Sequence, residues 1–149
     1  MNLLQRMLGR SDIFFGETRY MRRWKLINRA WFGLRIHNIL RSDTDRELHD
    51  HPFTFLSIVL WGGYWEHTLD GRRTWHGTGS FLIRTAECLH RLEMERPAWT
   101  LVFRGAHRRT WGYLLVDRWI PWDQFIEARY RVPKRDRKFK LLENSGDHQ

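Results

Sequence analysis

The chain has 149 residues and a mass of 18.3 kDa, which is enough for one domain with a single buried core. Hydrophobic residues make up 42% and aromatic residues 15%, a composition that excludes wholesale disorder. The formal net charge is +9, and the 26 basic residues comprise four lysines and twenty-two arginines. This arginine excess reflects either the coding bias of a GC-rich genome or a need for forked donors that bind phosphate and carboxylate groups.

The first nineteen residues are predicted to be a separate N-terminal segment, in which Leu3, Leu4, Met7 and Leu8 suit a turn or two of amphipathic helix. They contain no apolar run of the length that a signal peptide needs. No later segment approaches the ~20 consecutive apolar residues of a membrane span. The sequence therefore predicts a cytoplasmic protein without a membrane partner.

Residues 20–119 are predicted to form an all-β domain, because short β-branched and aromatic runs alternate with Gly, Asp and Asn and no helical stripe interrupts them. Many short strands at regular spacing are typical of a sandwich or barrel. Asp70-Gly71 is predicted to be a tight hairpin turn, and Gly62-Gly63 a bend or bulge. The predicted strands are Arg22–Asn28, Phe32–Arg41, Thr54–Trp61, Tyr64–Leu69, Thr74–Gly77, Ser80–Thr85, Leu89–Glu93, Thr100–Arg104 and Arg109–Val116.

The C-terminal region is predicted to contain one short helix and a basic tail. The helix covers residues 120–132, where Pro121 suits the first turn and apolar residues such as Trp122 and Phe125 recur at helical spacing. This stripe predicts that the helix caps the open side of the β domain. Residues 133–149 are polar, aperiodic and rich in basic side chains, which predicts a partly disordered tail.

Three of the eight histidines have the spacing of metal ligands. His49 and His51 are two residues apart just before an extended apolar run, so in a strand both imidazoles project to one face while Asp50 points away. His90 follows a predicted strand and turn, and its return strand would bring it beside the first pair. Cys88 is the only cysteine, so thiolate metal sites and internal disulfides are excluded.

These residues resemble the two motifs of the cupin superfamily, Gly-x5-His-x-His-x3 or x4-Glu-x6-Gly and Gly-x5-Pro-x-Gly-x2-His-x3-Asn. His49, His51 and Gly62 match positions of the first motif. Gly79 and His90 match positions of the second. The resemblance covers roughly residues 35 to 116 and implies an antiparallel jelly-roll barrel, here with a short C-terminal helix, and a site within the barrel. It does not imply one reaction.

The chain also departs from the cupin motifs. The opening glycine of the first motif falls on Asp43, and its glutamate falls on Phe55, or on Leu56 with the longer spacing. The proline and glycine of the second motif fall on Thr85 and Glu87. The stretch His49–Gly63, with the residues around His90 and Trp111, is similar to small single-domain bacterial and phage cupins of unassigned activity.

The donor types of the predicted site point to a first-row transition metal. Neutral imidazole suits Fe(II), Ni, Cu and Zn, whereas Mg and Ca prefer oxygen ligands. Fe(II) is the first choice, with Zn, Ni or Mn as alternatives, and the pattern is similar to three-His cupin oxygenases. Without the motif glutamate the site is more positive, which favours an anionic substrate. The alternative is that the barrel has lost its metal.

Further residues are candidates for substrate binding. Strand parity predicts that the aromatic residues after the histidine pair, from Phe53 to Trp61, face the interior, where they would contact an apolar substrate or pack as ordinary core. Arginines near the predicted barrel mouth suit a carboxylate or phosphate, or are solvated surface residues. Glu66 and Tyr64 are predicted at the rim, as reactive groups or as hairpin surface. The candidate substrate-binding residues are Arg84, Arg104, Arg109, Phe55, Trp111 and Tyr113.

Three functions of different classes remain open at this point. The first is a mononuclear three-His enzyme, oxygenase-like (a dioxygenase if it holds iron) or isomerase-like, that acts on a small anionic molecule. The second is a non-catalytic module that binds a small ligand. The third is nucleic-acid binding through the arginine-rich surface and the tail. The sequence assigns no catalytic residue, and a homodimer is open because cupin relatives commonly pair through β-strands.

The third function predicts that residues 133–149 are dispensable for folding but needed for contact with anionic partners. A chain that ends at Val132 lacks the basic cluster of the tail and should bind a mixed-sequence oligonucleotide more weakly than the full chain. Because salt screens such contacts, the difference should shrink steeply at high ionic strength. Fluorescence anisotropy at two salt concentrations measures it, and equal weak binding by both chains would exclude the function.

Overall fold

The computed structural model describes residues 9–43, 47–116 and 118–130 of the chain. The predicted helical turn near the N-terminus and the basic tail lie outside the described residues. No helix within the described residues has the length and hydrophobicity that crossing a membrane requires. The elements are β1 (Arg10–Phe15), β2 (Thr18–Asn28), β3 (Phe32–Ile39), β4 (Leu48–His49), β5 (Phe55–Trp61), β6 (Gly63–Thr68), β7 (Arg73–Gly77), β8 (Phe81–Arg84), β9 (His90–Glu93), β10 (Ala98–Gly105), β11 (Gly112–Leu114), β12 (Trp119–Pro121) and α1 (Trp122–Tyr130).

The strands form two six-stranded antiparallel sheets. The first sheet has the order β1-β2-β3-β10-β5-β8, and the second has the order β12-β11-β4-β9-β6-β7. From β3 to β10 each successive strand switches to the other sheet, except that the β6–β7 hairpin stays within the second sheet, and this alternation is typical of a jelly roll. The predicted all-β class and the short C-terminal helix are both confirmed.

The hydrophobic core lies between the two sheets. On β10 the inward residues Ala98, Thr100, Val102 and Arg104 are buried, while the residues that alternate with them are partly exposed, as a strand with one buried face requires. Val59 on β5 contributes from the first sheet and Tyr64 on β6 from the second. Burial of this apolar surface, at roughly 25 cal/mol per Å², is the main term that holds the sheets together.

Two glycines adopt the left-handed backbone at the predicted turns. Gly71 has a φ of +78° in the β6–β7 hairpin, where the Asp70 carboxylate accepts a hydrogen bond from the Arg72 backbone N–H at 3.3 Å. Gly62 has a φ of +80° between β5 and β6, and a Cβ there would lie 2.8 Å from the Pro97 carbonyl oxygen. The hairpin turn and the bend are therefore where the sequence predicted them.

The first sheet begins earlier than the sequence indicated. β1 and the first residues of β2 precede residue 20, yet they pair from Arg10 opposite Trp24 to Phe15 opposite Thr18, with a shift of register between Ile13 and Phe14. No residue of β1 is fully buried, so the strand lacks the apolar–polar alternation by which a half-buried strand is recognised in a sequence. β1 is a strand because it pairs with β2, and that pairing cannot be predicted from the sequence of β1 alone.

Trp61 does not face the interior as strand parity predicted. It is 59% exposed, whereas Phe55, Ser57 and Val59 on the same strand are buried. The β5–β10 register shifts between Trp99 and Thr100, which places one extra residue on β5 and turns Trp61 outward. The inward alternation on β5 therefore ends at Val59.

Replacing Gly62 by Ala should lower the free energy of unfolding by about 2–4 kcal/mol, because the new Cβ meets both backbone strain and the Pro97 carbonyl. Gly71→Ala is the matched control, since it has the same backbone region but no atom within 4 Å of its Cβ. It should cost about 1 kcal/mol, which is the conformational penalty alone. Urea unfolding measures both, and equal losses would contradict the crowding argument.

Candidate metal centre

Two neighbouring strands bring together the three predicted metal ligands. His49 on β4 lies directly opposite His90 on β9, and His51 follows two residues after His49. One ring nitrogen from each lies within 4.8 Å of the others, and the Nε2 atoms of His51 and His90 are 2.8 Å apart. Nitrogens that share one ion at about 2.1 Å are themselves about 3 Å apart, so the spacing suits a single metal ion. These three residues are called the histidine cluster below.

A buried carboxylate orients His90. Glu66 on β6 is 1% exposed, and its Oε1 lies 2.7 Å from Nδ1 of His90. Because a carboxylate only accepts hydrogen bonds, this contact places the His90 proton on Nδ1. The Nε2 lone pair is left facing the other two histidines, as metal ligation requires.

Two further side chains hold Glu66 in its ionised form. Arg84 donates from Nε to Oε1 at 2.8 Å and from its Nη2 to Oε2, while Nε2 of His76 lies 2.9 Å from Oε2. Burial alone would raise the pKa of Glu66, but the hydrogen bonds and charges of His90 and Arg84 lower it below its usual range. The same hydrogen bonds raise the pKa of Arg84. Glu66 and Arg84 therefore form a charge-neutral pair behind the cluster.

The sequence predicted Glu66 and Tyr64 at the rim, as reactive groups or as hairpin surface, but both are buried. The signal that could have found them was the two-residue spacing on β6, where Tyr64 and Glu66 share one face and Trp65 and His67 share the other. Which of these faces lies inward depends on the partner strands.

A second carboxylate lies behind His49. Nδ1 of His49 is 3.8 Å from Oδ2 of Asp43, and the same oxygen accepts the backbone N–H of Leu92 at 2.5 Å. Burial lowers the pKa of His49 to about 4, although Asp43 acts in the opposite direction. Burial and the neighbouring histidines hold the pKa of His51 well below its ordinary value. Both rings are therefore neutral at pH 7, with lone pairs available to a metal.

Asp50 points away from the cluster, as predicted, and anchors the segment that carries His49 and His51. It is 2% exposed, and it accepts hydrogen bonds from the Gly112 backbone N–H and an Arg109 Nη1 at 2.7 Å each, and from Trp119 Nε1 at 3.0 Å. These bonds fix the segment to β11 and β12, so the two ligands are held by a buried polar anchor on their reverse side.

Aromatic rings surround the histidine cluster. Phe55 meets His51 edge-on with ring centroids 4.8 Å apart. Tyr113 and Trp111 lie 5.9 and 6.2 Å from the ring centre of His49. All three aromatic residues that the sequence proposed for substrate binding are therefore next to the cluster, where that role stays a prediction.

The three arginines proposed for substrate binding all hydrogen-bond to protein groups. Arg84 contacts Glu66, and Arg109 contacts Asp50. Arg104 is buried on β10, where its Nη2 donates to Oδ1 of Asn28 at 2.7 Å. In this structure Arg84 and Arg109 position residues of the site, and their contact with a substrate stays a prediction.

The architecture of this chain is similar to that of several solved structures. No protein-family model matches the sequence, and no curated protein matches it. The chain is similar to the polyketide cyclase RemF from Streptomyces resistomycificus, with a TM-score of 0.61 at 15% identity over 88% of this chain and 96% of that one. It is also similar to an RmlC-like cupin from Shewanella frigidimarina, with a TM-score of 0.53 at 16% identity over 70% and 88% of the two chains. The chain has the cupin fold.

A third similar cupin-fold structure is Fe(II) HppE, with a TM-score of 0.52 at 14% identity over 64% of this chain and 56% of that one. At these identities the likeness shows the fold alone.

The site differs from the cupin motif in where its carboxylate lies. Phe55 occupies the motif position of the glutamate, and its ring rests against His51. Glu66 on the next strand contacts His90 from the Nδ1 side, behind the ring. Among the described residues, the group with metal-ligand spacing consists of three histidines alone.

The low pKa of His49 predicts that the metal-free protein loses stability in acid. In the unfolded chain this histidine titrates near 6.5, but in the folded protein it titrates at about 4, so between these values the unfolded state binds the extra proton. Unfolding free energy should fall by about 2 kcal/mol through His49 between about pH 7.5 and about pH 5. Glu66 adds to the loss only at lower pH, because its pKa is lowered too.

Urea unfolding of His49→Gln and His67→Gln at both pH values tests this assignment. His67 pairs with Glu93 outside the cluster, so its substitution should leave the acid loss in place, whereas His49→Gln should remove about 2 kcal/mol of it. The same pH dependence in both variants would contradict the assignment to His49.

Proposed function

We propose that this protein is a metal-dependent enzyme in which His49, His51 and His90 hold one first-row transition-metal ion. The observation that carries the proposal is the set of three imidazole nitrogens within 4.8 Å of one another in the interior. Imidazole ligation suits several first-row transition metals, of which Fe(II) is our first choice, with Zn, Ni or Mn as alternatives. Three protein ligands leave coordination positions for water, O₂ or a substrate, which suits an oxygenase- or isomerase-type reaction.

The charge balance of the centre supports a small anionic substrate. Arg84 neutralises Glu66, and burial keeps His49 and His51 uncharged by lowering their pKa values. A divalent ion held by neutral ligands keeps its full charge, which attracts an oxyanion in an interior of low dielectric constant. The metal, when bound, supplies Lewis-acid polarisation of a substrate oxygen and, if it is iron, a route to O₂ chemistry.

The residues of the chain itself bind and orient. Phe55, Trp111 and Tyr113 provide flat apolar surface beside the cluster, which suits a substrate with an unsaturated body and excludes water from it. Glu66 fixes the orientation of His90. Asp50 fixes the segment that carries His49 and His51. Two proteins with the same fold, the polyketide cyclase RemF and Fe(II) HppE, offer a comparison for the proposed metal-dependent reaction.

Elemental analysis of protein purified without a polyhistidine tag should find close to one transition-metal ion per chain. His51→Ala should lower the occupancy sharply, because it removes one of three ligands. Glu66→Gln should weaken metal affinity about 10- to 100-fold, because it removes the charge that orients His90 and raises the basicity of its ring. His67→Ala, which alters a histidine outside the cluster, should leave occupancy unchanged.

Chelation and ligand binding separate this proposal from its alternatives. The protein should remain folded after chelation, because its core between the sheets does not depend on the metal. Unfolding by chelator at room temperature would show a structural metal instead. Untagged protein that binds small anions but no transition metal would favour the non-catalytic ligand-binding module.

A further inference from the structure

The inner wall that β2 and β3 form is basic. Arg23 pairs with His37 and Lys25 pairs with Arg35 across these strands, and directly paired residues point to the same side. On the same side of the sheet, the neighbouring pair is Met21 and Ile39, and both belong to the hydrophobic core. This side is therefore the inward one. Within the part of the chain that the structure describes, no inward position of β2 or β3 is acidic. Arg23, Lys25, Arg35 and His37 are called the arginine wall below.

The arginine wall lies close to the histidine cluster. Arg35 is 3% exposed, and its guanidinium carbon is 5.4 Å from the ring centre of Phe53. The Phe53 ring is also stacked with His51, with centroids 6.4 Å apart. The Arg35 guanidinium and a predicted metal ligand thus lie against the same phenyl ring. The charge of Arg23 also reaches His51, because it contributes to the low pKa of that ring.

His37 orients the guanidinium of Arg23. Burial, together with the charges of Arg23 and Arg35, keeps the pKa of His37 well below its ordinary value, so the ring is neutral at pH 7. Its Nε2 accepts the Nε–H of Arg23 at 3.2 Å. A guanidinium held in a fixed plane is the group that binds a carboxylate through two parallel hydrogen bonds.

A purely structural role gives little reason to place these cations on an inward face. Taking cations out of water costs several kcal/mol each even after relaxation, and apolar residues of similar volume often stabilise an interior as well or better. Cations concentrated on the wall of an interior beside a candidate metal centre are the arrangement expected where an anion binds.

We propose that the arginine wall binds a carboxylate of the substrate, at the end opposite the group that reaches the histidine cluster. This inference rests on the proposed function and specifies the substrate class, a molecule with an anionic oxygen group at each end of a flat apolar body. The body packs against Phe53, whose ring neighbours both Arg35 and His51. Arg23 and Arg35 select for the second charge.

Titration calorimetry with terephthalate and benzoate tests the wall. Terephthalate has a carboxylate at each end of a flat ring, and benzoate has only one. The metal-loaded protein should bind terephthalate at least about tenfold more tightly, because the second carboxylate gains charge-assisted hydrogen bonds. Arg23→Gln should remove this preference. Arg22→Gln, at the next position of the same strand with its side chain on the opposite face, should retain it.

Arg23→Lys is a second variant that disturbs the fold less, because it keeps the positive charge and removes only the paired donors of the guanidinium. It should reduce the preference for terephthalate to an intermediate value. Thermal unfolding followed by circular dichroism verifies that each variant is folded. If folded Arg23→Gln and Arg22→Gln proteins bind terephthalate alike, the arginine wall does not bind the substrate.

The metal-free protein separates failure of this inference from failure of the proposed function. In the metal-free protein, benzoate should still bind to the arginine wall. Arg23→Gln should weaken the affinity for benzoate about tenfold, and Arg22→Gln should leave it unchanged. Arg23-dependent binding in a protein that takes up no transition metal would refute the enzyme and keep the wall. Metal uptake by the histidine cluster with benzoate binding indifferent to Arg23 would refute the wall and keep the metal centre.

Discussion

The carboxylate of Glu66 contacts side chains from three other strands and joins the two sheets at the candidate metal centre. His76 and His90 lie on the two strands that flank β6 in the second sheet, whereas Arg84 comes from the edge strand of the first. A buried charge is tolerated only when its hydrogen bonds are satisfied, and removal of one partner typically costs about 3–5 kcal/mol. The orientation of His90, the ionisation of Glu66 and the inward position of Arg84 therefore depend on one another.

Asp50 performs a comparable task on the reverse side of the cluster. It lies between two histidines in the sequence, and the alternation of side chains sends it into a separate polar anchor on β11 and β12. The two carboxylates thus hold the ligands from opposite sides, Glu66 through an imidazole ring and Asp50 through the backbone. Neither belongs to the predicted ligand set, which leaves the cluster neutral and keeps the charge of a bound ion available to a substrate.

The two sheets contribute different chemistry to the interior. The second sheet and the segment after β4 supply the imidazoles, and the first sheet supplies cations at Arg23, Arg35 and Arg104. Aromatic rings, among them Phe53 and Phe55, neighbour these groups. Under the proposed function, a metal-ligating side, a cationic side and flat apolar surface would together discriminate substrates by the number and separation of their charges. An apolar core of the same volume would offer no such selection.

The sequence by itself determined the features that depend on local spacing. The two-residue interval of His49 and His51 sends both rings to one face, and glycine permits the positive φ of the turn at Gly71. Tertiary structure decided the rest, because a strand has two faces and its partners choose which one is buried. The shifted register turned Trp61 outward, and pairing across strands brought Glu66 to His90. Spacing along a chain is local, whereas register and contact between sheets depend on the whole fold.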